Sequence, residues 1–307
     1  MVEVDPYYMD LARCFAGIQC SLAAIGIVCN TLILLTTIKT NTLRSTCNVL
    51  IAVCAVGDVL QQVGIFRRLP ILFGRREEMD SFLCVSIMVY ESLRSNNYHS
   101  GTPQFLPDMG IAIGCSAVFC VGLDRMVAVL FTLRYRSLGK RCYHSVRILL
   151  HIYCNIQSLQ FLATLMLGYC AFLGFLVVKF YRPQVTVCEM ATSFPDDAFT
   201  YFILSNLLFN FASAVVYLIT YVALRSAADT AVMKRIGKSL FIIVIVDIGG
   251  WFLTPALIAL PTSQIFAWTC FCPIFITLAI TVKLFIFYTT SSEYRAAFDV
   301  FFFDRPS

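Results

Sequence analysis

The sequence predicts an all-α membrane protein: a seven-transmembrane helix bundle with a short amphipathic C-terminal helix. Two observations carry this expectation. The 307 residues are 59% hydrophobic and only 13% charged, with a mean hydropathy of +0.79, whereas a soluble globule of this size needs a more polar surface. The apolar residues are also gathered into long blocks separated by short basic loops, as in a chain that crosses a bilayer repeatedly.

A spanning helix needs about 20 apolar residues. The blocks 11–38 and 49–73 meet this and give the first two spans. The third is irregular. Residues 81–90 are apolar but short, the polar run ESLRSNNYHSGTPQFLPD (91–108) follows, and 107–133 is apolar again. Blocks 148–178, 198–224, 236–260 and 265–288 supply the remaining spans. The tail SSEYRAAFDVFFFDRPS begins with an N-cap-like Ser-Ser-Glu. Its Tyr294, Ala297, Phe298, Phe301 and Phe302 recur at helical spacing, so 292–303 reads as a helix lying on the inner membrane surface. Residues 1–307 show no repeat or linker and read as a single domain.

Orientation follows from Lys and Arg in the short loops. Lys39, Arg134, Arg136, Lys140, Arg141, Lys234, Arg235 and Lys238 fall on one side, which places the N-terminus outside and the C-terminus in the cytoplasm of a plasma-membrane protein. The Arg pairs at 67–68 and 75–76 run against that bias. The opening MVEVDPYYMD is acidic, so no cleavable signal is expected, and the first block acts as its own insertion signal.

Several function classes are disfavoured. The net charge of +5 is mild and lies in loops, so no nucleic-acid partner is expected. The 14 cysteines sit mostly inside apolar blocks as small hydrophobes, and with only three histidines no metal-ligand spacing occurs. Neither a cofactor nor an enzymatic activity is expected.

Ionisable side chains inside a span are costly and default to functional hypotheses. Asp124–Arg125, in GLDRMVAVLFTLRYRSL, is either a solvated pair ending a helix or a latch whose Arg is released toward a cytoplasmic partner. Asp58 lies mid-span in NVLIAVCAVGDVL and must be protonated or hydrogen-bonded to other helices. Lys283, in ITVKLFIFY, either snorkels to the interface or pairs. Asp247 has no obvious partner. Asn30, in GIVCNTLILL, suits an interhelical hydrogen bond. Gly249, Gly250, Trp251 and Pro255 suggest either a kinked sixth span or plain packing. Cys84 and Cys188 are the cysteines best placed outside, where oxidation is permitted.

In their order, these motifs resemble the rhodopsin-like G-protein-coupled receptors, and more narrowly the nematode serpentine chemoreceptors of the class-sx group. GLDRMVAVLFTLRYRSL is similar to the group's third-span signature, and GGWF and SSEYRAAF match as well; the resemblance runs from Gly26 to Phe298. It implies that Asn30 and Asp58 are the family's polar residues of spans one and two. It implies that Asp124–Arg125 is its Asp-Arg-Tyr motif with Met126 in place of Tyr, and that Cys84–Cys188 is its outer disulfide. Arg125 is then the residue a heterotrimeric G protein meets, with Asp124 restraining it at rest. Trp251, Lys283, Phe287 and Tyr288 fall in the activation-switch region, Lys283 standing where the family usually has Asn and Phe287 where it has Tyr. In the family that Asn lies close to the second-span Asp, which implies a Lys283–Asp58 ion pair filling the pocket where many relatives hold sodium.

Tyr201, Phe202, Phe252 and Trp268 are candidates for an apolar pocket for a small molecule, although each singly reads more readily as a lipid-facing or packing aromatic. The 91–108 run is longer than the resemblance allows. It is either a loop bulging outward or translated intron, and its removal would join Tyr90 to Leu106 in one apolar helix. The resulting reading is a chemosensory receptor that binds a small molecule from outside and activates a G protein. The alternatives are a small-solute transporter or channel, and a non-signalling receptor relic.

Overall fold

The structure is a computed structural model that describes residues 6–43, 45–66, 79–80, 105–136, 160, 163–176, 179, 185–186, 197–226, 242, 245–254, 256–257, 268 and 270–303. It is almost entirely helical. Helix α1 runs Pro6–Lys39; its first residue is a proline, which costs nothing at a position whose N–H has no helical partner. A 3-10 turn, Asn41–Leu43, leads to α2, Thr46–Ile65. Ser45 caps α2, its hydroxyl accepting from the Asn48 N–H at 3.4 Å. Helix α3 is Phe105–Arg136 and helix α4 Ala163–Leu176. Helices α5 and α6 are Asp197–Ser226 and Ile245–Thr254. Helices α7, Ile274–Thr281, and α8, Lys283–Thr290, abut at Val282, and α9 is Ser292–Phe303. The strands β1, Met79–Asp80, and β2, Val185–Thr186, pair antiparallel.

Among the described residues, four helices are long and apolar enough to cross a membrane: Asp10–Lys39, Thr46–Ile65, Pro107–Val127 and Thr200–Ala223. The α7–α8 helix, continued by α9 after a 99° bend, makes a fifth candidate. Hydropathy is only half of the argument, because the radial pattern is inverted relative to a soluble bundle. Along α5, Leu204, Leu208, Phe211, Val215, Leu218 and Val222 are exposed, while Asn206, Asn210, Ser213 and Thr220 are buried. An apolar exterior around a polar interior is stable only when the surroundings are themselves apolar.

Small residues set the closest packing. A Cβ at Gly57 of α2 would lie 2.7 Å from the Gly110 carbonyl oxygen, and one at Gly110 of α3 would lie 2.6 Å from the Gln61 nitrogen. The two backbones therefore touch directly, and α2 makes its most extensive contact with α3. Helix α1 packs on α2 and α7 through a polar seam. Gln62 donates to Thr281 at 3.2 Å, Thr281 to the Leu22 carbonyl at 3.1 Å, and Gln19 to Thr277 at 3.4 Å.

The bend into α9 is held at both sides. Arg295 caps the end of α8, donating to the Tyr288 carbonyl at 2.9 Å and the Thr289 carbonyl at 2.6 Å. Tyr294 is buried and shares a 3.1 Å hydrogen bond with Thr37 of α1, while Lys39 lies 4.8 Å over the Phe301 ring. Burial pushes the Tyr294 phenol up, so it remains a neutral hydroxyl.

Candidate functional site

The charged residues of the spans converge. Asp58 on α2 and Lys283 at the start of α8 are both buried, and Lys283 Nζ donates to Asp58 Oδ2 at 2.8 Å. Asp247 of α6 joins them, its Oδ1 3.4 Å from the same ammonium. The sequence leaves Asp247 without an obvious partner; the structure corrects this, because a residue 36 positions along the chain on another helix provides it. The Cys54 thiol, one turn before Asp58, sits 3.6 Å from Lys283 Nζ. Lys283 therefore does not snorkel. Its side chain is 6% exposed and is fully engaged by α2 and α6.

A small cavity of about 30 Å³ adjoins this cluster, lined by Asn30, Cys54, Asp58, Tyr217, Lys283 and Phe287 together with aliphatic side chains. That is room for a water or two rather than a drug-sized ligand. Asn30 donates to the Gly26 carbonyl at 3.0 Å and to Gln62 Oε1 at 3.4 Å. Its own Oδ1 is buried with no hydrogen-bond partner among the described residues. Tyr217 of α5 bounds the cavity and donates to the Val118 carbonyl at 3.2 Å. Gly122 lets it approach, since a Cβ there would lie 2.7 Å from the Tyr217 ring. Phe287 stacks on Tyr294 with centroids 4.8 Å apart, connecting the cavity floor to α9. Tyr288, next along, is half exposed and donates to Asp299 at 3.2 Å.

Asp124 and Arg125 lie toward the α9 end of α3. Arg125 Nε is 3.7 Å from Asp124 Oδ2, and the side chains are 25% and 16% exposed. At that distance the contact is electrostatic rather than a hydrogen bond. The guanidinium also rests against Cys47 of α2, so Arg125 lies partly sheltered between the two helices rather than extended into solvent.

The aromatic candidates separate. Phe202 is buried in a cluster with Met109, Ala112, Cys115, Tyr169 and Leu173, against which Trp251 packs. Tyr201 is half exposed on the opposite face of α5, and Phe252 is 40% exposed on α6. Trp268 donates from its indole to the Leu257 carbonyl at 2.6 Å and stacks on Phe271, which contacts Phe15 of α1. Of the four, only Phe202 lies in the α3–α4–α5 cluster. Buried polar groups around that cluster were not read from the sequence. Asn210 reaches Cys115 at 3.8 Å, and the Tyr169 and Ser205 hydroxyls are 3.1 Å apart. Their signal was a run of amide and hydroxyl residues on one stripe of a lipophilic helix. Cys84, Cys188, Pro255 and residues 91–104 lie outside the described residues. Among the described residues, no group of His, Cys, Asp or Glu is arranged to hold a metal ion.

Compared with known protein families, the chain matches the model described as serpentine type 7TM GPCR chemoreceptor Srsx over residues 23–100 and 102–302. No curated protein matches the chain.

Proposed function

The chain belongs to the serpentine type 7TM GPCR chemoreceptor Srsx family, and from that premise we propose that it binds a small molecule from outside and activates a heterotrimeric G protein within. The observation that carries this reading is the arrangement of Asp124–Arg125. An arginine near the end of a span, 3.7 Å from its own acid and resting on Cys47, is a fixed cation available to a partner once the helices part.

In the proposed mechanism the ligand binds near the Phe202–Tyr169 cluster, where Trp251 contacts it. Cys115, Ser205 and Asn210 offer donors and acceptors beside apolar walls, the mixture that orients a small ligand. Binding favours one of two helix arrangements by its difference in affinity between them. The ionic cluster of Asp58, Asp247 and Lys283 relays that choice toward Arg125. Nucleotide exchange happens on the G protein, so the chain itself performs no covalent chemistry. In this reading the N-terminus faces outside and α9 lies on the cytoplasmic surface of the plasma membrane.

The test is guanine-nucleotide exchange in membranes containing the receptor and G protein. Arg125→Ala is expected to abolish stimulated exchange, compared at equal amounts of folded receptor because the side chain is three-quarters buried and its loss also removes packing against α2. Stimulated exchange that survives Arg125→Ala unchanged would refute the assigned role. Solute flux through receptor-only vesicles would favour a transporter instead.

A further inference from the structure

The cluster around Phe202 and Tyr169 holds several polar groups whose partners can be traced. Ser205 donates to the Phe202 carbonyl at 2.9 Å, which leaves its oxygen to accept from the Tyr169 hydroxyl at 3.1 Å. Asn210 donates to the Asn206 carbonyl at 2.8 Å and reaches Cys115 Sγ at 3.8 Å. Asn206 donates from Nδ2 to the Phe202 carbonyl at 2.9 Å. One atom is left over. Asn206 Oδ1 is buried with no hydrogen-bond partner among the described residues, on a residue only 2% exposed.

The chemistry of that atom is settled by its neighbours. Turning the amide over would set Oδ1 against the Phe202 carbonyl oxygen at hydrogen-bond distance with no proton between them. The unsatisfied atom is therefore an acceptor. Phe202, one turn before it on α5, belongs to the cluster of Met109, Ala112, Tyr169 and Leu173, and Asn210, one turn after it, reaches Cys115 of α3. Asn206 lies between them on the same face, where α5 meets α3. A buried amide oxygen without a partner costs free energy, and folded proteins keep few of them. Water is a poor remedy here, because it needs two or more polar partners and the neighbouring groups are already engaged.

We propose that Asn206 Oδ1 is the specificity-determining acceptor of the ligand seat, and that the ligand is a small uncharged molecule carrying a hydrogen-bond donor, a hydroxyl or an amide N–H, on an apolar body. The inference deepens the receptor reading and rests on it for the location of the ligand. The donor satisfies Oδ1, and the body lies against Leu173 and Phe202. The cluster is closed at rest, so the guest displaces its partly buried members, Ile203 and Trp251, and has to be small. A carboxylate would meet another oxygen and no cation, since the cluster contains neither Lys nor Arg. An ammonium needs more than one neutral amide to offset its desolvation. Asp108, buried one turn out from Ala112 on α3, is the group that would draw it, which makes the matching amine the rival probe.

The experiment uses full-length receptor in lipid nanodiscs. The probes are cyclohexylmethanol and a straight-chain octanol, each with its methyl ether, and cyclohexylmethylamine. Thermal unfolding is read without G protein, and nucleotide exchange is measured on the same samples with it. A ligand that binds the folded state raises the midpoint. At least one alcohol is expected to raise it at about a tenfold lower concentration than its ether, the worth of one hydrogen bond to a buried acceptor. In Asn206→Leu the alcohol and ether are expected to become equivalent. Partitioning into the nanodisc lipid is common to both proteins, so the difference between them isolates the site. If Asn206→Leu fails to fold, Asn206→Ala removes the same acceptor with less bulk, and the wild-type comparison needs no variant. The proposal is overturned if no alcohol shifts the wild-type midpoint, if ethers act as strongly as alcohols, if the amine outdoes the alcohol, or if a folded Asn206 variant keeps the alcohol preference. An alcohol preference that needs Asn206, with no exchange in any sample, would keep the donor site and sink the receptor reading. Exchange driven by an ether as strongly as by its alcohol would keep the receptor reading and sink the donor site.

Discussion

Replacing Lys283 by Met should turn a sodium-indifferent protein into a sodium-dependent one. In the wild type, the ammonium lies 2.8 Å from Asp58 and 3.4 Å from Asp247. At an effective dielectric of about 20, those contacts are worth roughly 6 and 5 kcal/mol before desolvation is subtracted. Desolvation removes most of this, so the pair contributes little net stability as a pair. Removing one partner is different. Met fills the volume but leaves two buried carboxylates without a cation, a change that costs about 3–5 kcal/mol. The deficit is relieved by a small cation entering the cavity beside Asp58, where Asn30 Oδ1 has no hydrogen-bond partner among the described residues. At ten times its dissociation constant, sodium would then return about 1.4 kcal/mol. The assay is thermal unfolding of purified protein in nanodiscs, with sodium chloride compared against choline chloride at equal ionic strength. The expected result is no difference for the wild type and a raised midpoint in sodium for Lys283→Met. A Lys283→Met protein as stable as wild type in choline would refute the reasoning, as would a wild type whose midpoint follows sodium.

The helix contacts make further predictions. Gly57→Val and Gly110→Val place carbon against backbone atoms that cannot move aside, at 2.6–2.7 Å from the first added atom, and each should lower stability by about 1–3 kcal/mol by forcing α2 away from α3. Gly114→Ala is the control, since its nearest contact would be Asp58 Oδ1 at 3.5 Å, and its unfolding midpoint should stay near wild type. Tyr294→Phe removes the Thr37 hydrogen bond but keeps the stack on Phe287; the expected loss is about 1 kcal/mol. Tyr294→Ala removes both and should cost about 3–5 kcal/mol, with α9 released from α1 and detected as faster proteolysis after Arg295.

The fold class was legible because a bilayer imposes one rule on every span: about 20 apolar residues in a row. Which residues face inward was harder to read. In water, hydrophobic periodicity marks the core; in lipid, apolar side chains are equally comfortable outside. Tyr201 and Phe202 are neighbours of the same chemical kind, yet one is half exposed and the other buried. No composition argument separates them. Polar residues carry the information instead, as Asn206, Asn210, Ser213 and Thr220 show on α5. Asp58 and Lys283 could be placed together only through the family resemblance, because spacing within one span says nothing about its neighbour. Asp247 sat in the same sequence with the same burial, but no motif assigned it a position, and its partner emerged only from the packing of α6 against α8.

The same physics explains why the helix contacts are of two kinds. Helices in lipid gain nothing from hiding apolar surface from one another, so they associate through close backbone approach and interhelical hydrogen bonds. The first kind is rigid: Gly57 against Gly110 has one fitting distance and fixes α2 to α3. The second kind is exchangeable, because a donor such as Lys283 can shift its share between two acceptors without being left unpaired. A bundle that must hold one arrangement and move to another is best built from both. In this chain the rigid contact joins α2 and α3, the helices bearing Asp58 and Arg125, and the exchangeable contact, made by Lys283 of α8, joins α8 to both α2 and α6. Helix α6 is thus tethered through a shared charge, and its axis carries two adjacent glycines.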